Sequence, residues 1–258
     1  MTIFSLKYYL MALCALLSDF LPISTAVLGA GELILITEDY PPLNFVADSK
    51  LQGPSVDIVK AIQMQLGDGN EIKVYPWARG YHLLETTRNT ALFSTTRTES
   101  REYLFKWVGP LAEKKIGLFA RKGSAAKPNS LDEAKAFMIG VQRGGVGMQY
   151  LGERGLENFD DSTTPLAILK KLMAGRLDLW FASNATVAGN TKILGIDADE
   201  IELVLELENP HMYIAFNGDT PDATVAEWQS AYDSLVKEGK VAEILARYGL
   251  EGLYPTLP

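Results

Sequence analysis

Residues 33–37 read Leu-Ile-Leu-Ile-Thr and run directly into Glu38-Asp-Tyr-Pro-Pro-Leu43. A short unbroken apolar run closed by polar residues and prolines is the pattern of a strand buried on both faces, as in parallel sheets covered by helices. Outward from it the pattern continues. Ser55 to Leu66 reads as a helix with Ile58, Val59, Ile62 and Leu66 on one face, Glu71 to Tyr75 as a strand, Tyr81 to Thr87 as a helix and Ala91 to Ser94 as a strand. A second set opens with the strand Lys115 to Ala120. Ser130, with Glu133 three residues later, forms a capping box that starts a short helix. The strand Phe137 to Val141, a glycine-rich turn and a helix through Glu153 follow. Thr164 caps the next helix, Pro165 takes its first position and Gly175 ends it. Leu177 to Ala182, Ile201 to Leu207 and Met212 to Phe216 read as strands, and Ala223 to Lys237 and Val241 to Tyr248 as closing helices. This alternation, without internal repeats, predicts an α/β fold of mainly parallel sheets with flanking helices. A break in the rhythm near Ala112–Lys115 separates two α/β sets, which implies two lobes and a ligand cleft between them at the carboxyl ends of the strands.

The first thirty residues follow a different logic. Met1 to Lys7 is short and carries one positive charge, Tyr8 to Leu17 is mostly apolar, and small residues appear at Ser24-Thr25-Ala26 and Gly29-Ala30. This is the layout of a secretory signal, with cleavage expected between Ala26 and Gly31. Asp19 and Pro22 interrupt the apolar run before it reaches the roughly 20 residues that a membrane span needs. Cys14 falls within this segment, so the mature chain carries no cysteine and suits an oxidising compartment without disulfides. The expectation is an exported protein, soluble outside the cytoplasm.

Composition narrows the chemistry. With 24 basic against 32 acidic residues the net charge is −8, which argues against a nucleic-acid binder that would need clustered Lys and Arg. Two histidines and a single cysteine exclude zinc centres and Cys-His nucleophile pairs. No Walker loop and no Gly-x-Ser-x-Gly elbow is present, and Gly144-Gly-Val-Gly147 fails the dinucleotide fingerprint because its third glycine would fall at Tyr150. No cofactor or metal is implied.

Seven motifs then stand in order: Thr37-Glu-Asp-Tyr-Pro-Pro-Leu43, Gly53-Pro-Ser-Val-Asp57, Pro76-Trp-Ala-Arg79, Ser94-Thr-Thr-Arg-Thr-Glu-Ser-Arg101, Trp107-Val-Gly-Pro110, Gly175-Arg-Leu-Asp178 and the stretch Lys240 to Gly249. From Glu32 to Gly249 the chain resembles the periplasmic solute-binding proteins of ABC transporters, amino-acid type (solute-binding family 3). The resemblance implies a two-lobed type II periplasmic binding fold. Residues 31–112 and 212–258 would then form the first lobe and 113–211 the second, with crossings near Ala112–Glu113 and Pro210–Met212. It also implies a receptor that closes on a small carboxylate-bearing solute, an amino acid or related organic acid, and delivers it to a membrane permease. A monomer without enzymatic activity is expected. The alternatives are a dehydratase of the cyclohexadienyl type, using cleft carboxylates such as Glu38, Asp57 or Asp178, and a sensory module for a membrane partner.

The candidate ligand-binding residues follow from motif and chemistry together. The resemblance makes Arg101 the partner of a ligand carboxylate, a role that a planar guanidinium fork fills well; a surface arginine in the Glu99–Glu102 cluster is the plainer reading. Ser94 and Thr96, at a strand's carboxyl end, offer hydroxyls to the same group. Tyr40 is implied as an aromatic lid, with Glu38 beside it as an acceptor for an ammonium. Trp77 and Arg79 place an aromatic face beside a cation. In the glycine turn, Gly145 and Val146 offer backbone N–H groups at a helix start, and Arg143 precedes them as a second cation. Ser183 and Asn184 stand where amino-acid binders of this type usually carry an acidic residue for the ligand's ammonium, and this departure puts a standard amino acid in doubt. Trp180 in the same strand reads as core.

Overall fold

The computed structural model describes residues 32–207 and 211–255. The expected export signal lies outside the described residues, as does part of the second expected crossing. The chain forms β1 (Ile34–Thr37), a small hairpin of β2 (Phe45–Ala47) and β3 (Lys50–Gln52), α1 (Pro54–Leu66), β4 (Ile72–Val74), α2 (Trp77–Thr86), β5 (Thr90–Thr96) and β6 (Phe105–Glu113). It passes through Lys114 and Lys115 into β7 (Ile116–Arg121), α3 (Leu131–Ala134), β8 (Ile139–Gln142), α4 (Val146–Glu153), β9 (Phe159–Ser162), α5 (Pro165–Met173), β10 (Leu179–Ser183), α6 (Asn184–Leu194) and β11 (Ile201–Glu206). It ends with β12 (His211–Asn217), α7 (Asp222–Lys237) and α8 (Lys240–Arg247).

Two five-stranded sheets result, ordered β4-β1-β5-β12-β6 and β11-β7-β10-β8-β9. In the first, β12 is antiparallel to both its neighbours, so the other four strands share one direction. In the second, β7 plays the same part against β10 and β11. Each reversed strand is the one that the chain enters on arriving from the other sheet. The two lobes are therefore built on one plan, mainly parallel as expected.

The opening strand shows why the apolar run reads as it does. Leu35 shares a core with Ile58, Val59 and Ile62 of α1 and Trp228 and Tyr232 of α7, whereas the neighbouring Ile36 shares one with Trp77 and Leu84 of α2. Both faces of the sheet are thus covered, which leaves no room for a polar residue at either position. In the second lobe Trp180 packs with Ile168, Leu169 and Leu172 of α5, and Phe181 faces the opposite cluster with Val141 and Leu151.

Local signals behave as chemistry dictates. Ser130 Oγ accepts from the Glu133 N–H at 3.2 Å, and Thr164 Oγ1 accepts from the Ala167 N–H at 3.3 Å. The Glu133 carboxylate accepts from the Asn129 N–H rather than closing the box on Ser130. Strands β2, β3, β6 and β9 have no counterpart in the sequence reading, and two helices differ from it. Helix α2 starts at Trp77, four residues before the expected Tyr81, because Pro76 supplies a fixed φ at its N-cap and Trp77, Gly80 and Leu84 form its buried face. Helix α6 was not anticipated beyond the strand end, although Ser183 Oγ caps it through the Thr186 N–H and Gly195 ends it at φ 65°. Its buried face carries Thr186, Asn190 and Thr191, whose side chains bond to the helix's own carbonyls or to neighbours, so apolar periodicity is weak there.

Gly53 enters α1 with φ 123°, and a Cβ at this position would lie 2.4 Å from the Leu43 carbonyl oxygen. Backbone strain and a backbone clash then coincide. Gly53→Ala is expected to destabilise the protein by about 2 kcal/mol or more, measured as a lower midpoint in urea unfolding; an unchanged midpoint would show that the 43–44 turn yields freely.

Candidate functional site

The carboxyl ends of β1, β5, β8 and β10 and the crossing at Lys114 converge. Two small adjoining cavities of about 40 Å³ each lie there. One is lined by Glu38, Tyr40, Trp77, Ser94, Thr96, Arg101 and Met212 from the first lobe, together with Gln142, Gly145 and Val146 from the second. The other shares Tyr40, Lys114, Gln142, Gly145 and Val146 and is walled by Ile116, Pro165, Ile168, Phe181 and Ser183.

Arg101 sits in the one-turn 3₁₀ helix Glu99–Arg101 that follows β5 and is only 1% exposed. Its Nη1 donates to the Thr96 carbonyl at 3.3 Å and its Nε to Gln149 Oε1 at 3.2 Å. The guanidinium carbon lies 4.9 Å from the Tyr81 ring centre and 5.6 Å from that of Trp77. Among the described residues no carboxylate reaches it within ion-pair distance. Burial lowers its affinity for its proton, against the favourable influence of Tyr81 and the more distant Glu85 and Glu153. A guanidinium taken out of water without a counter-charge is costly unless something else supplies one. Next to it Ser94 is held at φ 60°, and its Oγ is buried without a hydrogen-bond partner among the described residues. The strain and the unsatisfied hydroxyl point at the same cavity.

Glu38, 5% exposed, accepts a short hydrogen bond from Gln142 Nε2. Desolvation pushes its carboxyl up to about 8, against the lowering effect of Gln142 and Lys114. Lys114, 5% exposed, is brought down to about 8, chiefly by burial and further by Arg101, while Glu38 favours its charged form. Tyr40 bonds through its hydroxyl to Thr186 Oγ1 at 2.6 Å, and burial raises its pKa to about 12. The Lys114 ammonium lies 5.6 Å from the Tyr40 ring centre.

Direct bonds join the lobes around the cavities. Besides Tyr40 to Thr186 and Glu38 to Gln142, Trp77 Nε1 donates to the Gly144 carbonyl at 2.8 Å and Gln149 Nε2 to Ser100 Oγ at 2.7 Å. The described lobes are closed upon each other.

The sequence profile of the bacterial extracellular solute-binding proteins, family 3, matches residues 33–251. The chain belongs to this family. Among solved structures, a histidine kinase sensor domain similar to periplasmic binding proteins superposes with a TM-score of 0.77 at 22% identity, over 87% of this chain and 98% of the other. The arginine-, lysine-, histidine-binding protein ArtJ from Geobacillus stearothermophilus gives 0.73 at 20% identity, over 84% and 94%. The GluR0 ligand-binding core from Nostoc punctiforme, in complex with L-glutamate, gives 0.73 at 17%, over 84% and 99%. At these identities the likeness establishes the fold, the type II periplasmic binding fold. A sequence comparison with curated proteins gave no match.

In this family-3 chain nine of the twelve residues singled out from sequence meet at the cavities: Glu38, Tyr40, Trp77, Ser94, Thr96, Arg101, Gly145, Val146 and Ser183. Three do not line them. Arg79 is exposed and stacks 4.4 Å over the Tyr75 ring, because one helical step before the buried Gly80 it faces outward. Arg143 is exposed and pairs with Asp161 on the adjacent strand at 2.6 Å. Asn184 is exposed at the start of α6, where its Oδ1 accepts from the Ala185 N–H. Of the other carboxylates considered, Asp57 accepts from Tyr248 Oη at 2.9 Å and Asp178 from the Met138 N–H at 2.8 Å, so both serve local structure. Sequence reasoning missed Lys114, Gln142 and Thr186. Lys114 carried a signal, as a lysine in the break between the two α/β sets; Gln142 and Thr186 carried none.

The Glu38–Lys114 pair has a pH signature. Between about pH 4.5 and 8 the folded protein keeps a proton on Glu38 that the unfolded chain has released, so stability falls as pH rises through that window. Between about 8 and 10.5 the unfolded chain holds a proton that folded Lys114 has lost, so stability rises again. Melting temperatures of the wild type minus those of Glu38→Gln/Lys114→Met, followed from pH 5 to 10.5, are expected to dip near pH 8; a flat difference would refute the coupling.

Proposed function

We propose that the protein is an exported, monomeric, periplasmic receptor that captures a small carboxylate-bearing solute between its lobes and presents it to the permease of an ABC transporter. The observation that carries this reading is Arg101, a buried guanidinium with no carboxylate partner among the described residues, beside the unpartnered hydroxyl of Ser94. A ligand carboxylate supplies the missing charge and accepts from both. Family membership and the likeness to proteins described as binding arginine or glutamate support a small amino-acid-like or organic acid ligand.

In this mechanism residues 31–112 and 212–258 act as the first lobe and 113–211 as the second. Glu113 and His211 pair within the first sheet, so we take the first crossing at Lys114–Lys115 rather than at Ala112–Glu113, and with the second, between Glu206 and His211, it forms the hinge. A ligand stabilises closure only through contacts that the open form lacks, so it must touch both lobes. Arg101 and Ser94 act from the first, and the first-turn N–H groups of α4, at Val146 and Gly147, from the second, the Gly145 N–H being taken by the Gln142 carbonyl. Trp77 and Tyr40 already bridge to Gly144 and Thr186, which lowers what the ligand must contribute. Delivery to a transporter and signalling to a membrane sensor would use the same closure. The likeness to a histidine kinase sensor domain favours the second recipient as an alternative.

A thermal-shift screen of amino acids, oxo acids and dicarboxylates tests the reading; a ligand at 100 times its dissociation constant adds about 2.7 kcal/mol. For the ligand found, Arg101→Ala is expected to cost about 2–5 kcal/mol of affinity by calorimetry. A loss below about threefold, well under 1 kcal/mol, would remove Arg101 from the site. Trp77→Phe keeps the aromatic face but loses the bond to Gly144, and is expected to shift the unliganded protein toward open forms. Small-angle scattering would register a larger radius of gyration, and an unchanged radius would deny that bond a part in closure.

A further inference from the structure

We propose that Lys114 supplies from within the protein the cationic group that an amino acid would bring, so that the cleft takes a small carboxylic acid lacking an amino group. This rests on the reading of the cleft as a solute site and names its ligand class.

Three charged side chains line the two cavities: Glu38, Arg101 and Lys114. With Arg101 and Lys114 charged and Glu38 holding its proton, as burial favours below about pH 8, the lining carries two positive charges and no counter-charge, and an entering carboxylate reduces that excess. A zwitterion adds no net charge and leaves that excess on side chains that are each no more than 5% exposed, where an unbalanced charge is costly. Its ammonium would also enter beside two cations. The one carboxylate able to receive it, Glu38, is already held by Gln142 and faces the charge of Lys114. The carboxyl end of β10 offers hydroxyls instead: Ser183 Oγ and Thr186 Oγ1 lie 2.7 Å apart and are engaged with each other and with Tyr40.

Lys114 has the placement this role requires. It occupies the crossing between the lobes, lines both cavities and sets its ammonium over the Tyr40 ring. Among the described residues its Nζ makes no hydrogen bond, so a charged amine with three donors is left facing the cavity. Arg101 is near enough to disfavour the charge on Lys114, and an anion held between the two relieves that repulsion. Other ionisable groups acting on these residues, Asp39, Glu85 and Glu153, are exposed and line neither cavity. Beyond Lys114 the second cavity is walled by Ile116, Pro165, Ile168 and Phe181, which suits a short uncharged tail.

The test is calorimetry on the whole mature chain with acids matched in every atom but the α-substituent: pyruvate and alanine, 2-oxoisovalerate and valine, 2-oxoglutarate and glutamate. The wild type is expected to bind one oxo acid at least thirtyfold more tightly than its amino acid. Lys114→Met frees Glu38 for a ligand ammonium and is expected to shrink that ratio below threefold or reverse it. If that variant melts near the assay temperature, Glu38→Gln/Lys114→Met removes both buried charges together and is expected to bind oxo acids still, with discrimination lost. A wild type that prefers the amino acid of a pair overturns the role of Lys114 and leaves the capture of a carboxylate standing. A preference for oxo acids that survives both substitutions also overturns it. A wild type that binds neither member of any pair counts against the solute site itself.

Discussion

A guanidinium almost wholly removed from water, with no carboxylate among the described residues to answer it, is the constraint around which this structure is arranged. Such a charge destabilises a protein unless its surroundings make it worthwhile. Here the surroundings are two aromatic rings, one backbone carbonyl and one glutamine, all poorer partners than an anion. Ser94 repeats the pattern at smaller scale, with a left-handed backbone and a buried hydroxyl left without a partner. A buried charge, backbone strain and an unsatisfied hydroxyl coincide at this one cavity, as expected of a place that a ligand completes.

The topology explains how such a place can exist. Each sheet carries one reversed strand, and each reversed strand begins where the chain arrives from the other lobe. The carboxyl ends of the parallel strands therefore face each other across the crossings, and loops from β1, β5, β8 and β10 close one compartment. The first crossing is two residues long, so a side chain on it, Lys114, lies between the lobes whatever their relative opening. A charge placed there acts on the first lobe's Glu38 and Arg101, while the side chain also lines the cavity walled by second-lobe residues such as Ile116 and Phe181.

The end of β10 offers hydroxyls, Ser183 and Thr186, and the carboxyl group of the cavity comes from the opposite lobe, where Glu38 is held by Gln142 under the influence of Lys114. On the reading proposed above, charge balance more than cavity shape separates one class of small acid from another, because an uncompensated unit charge beside buried side chains outweighs most differences in contact area.

Much of this was legible in the chain alone. The alternation around Leu33 to Thr37, the caps at Ser130 and Thr164 and the break before Lys115 determined an α/β protein in two sets. Residue type and motif brought Arg101, Ser94 and Tyr40 forward. Those signals are local: a cap acts over three residues, and a buried strand announces itself through its own side chains. What only the tertiary structure decided was which way charges face and whom they meet. Arg143 turns to solvent because Asp161, on a strand eighteen residues later, holds it there. Arg79 turns outward because α2 begins at Trp77 and not at Tyr81. Lys114 and Glu38, far apart in sequence, line one cavity because two lobes close on a short crossing. Electrostatic partnership depends on distance and dielectric, and neither exists until the chain has folded.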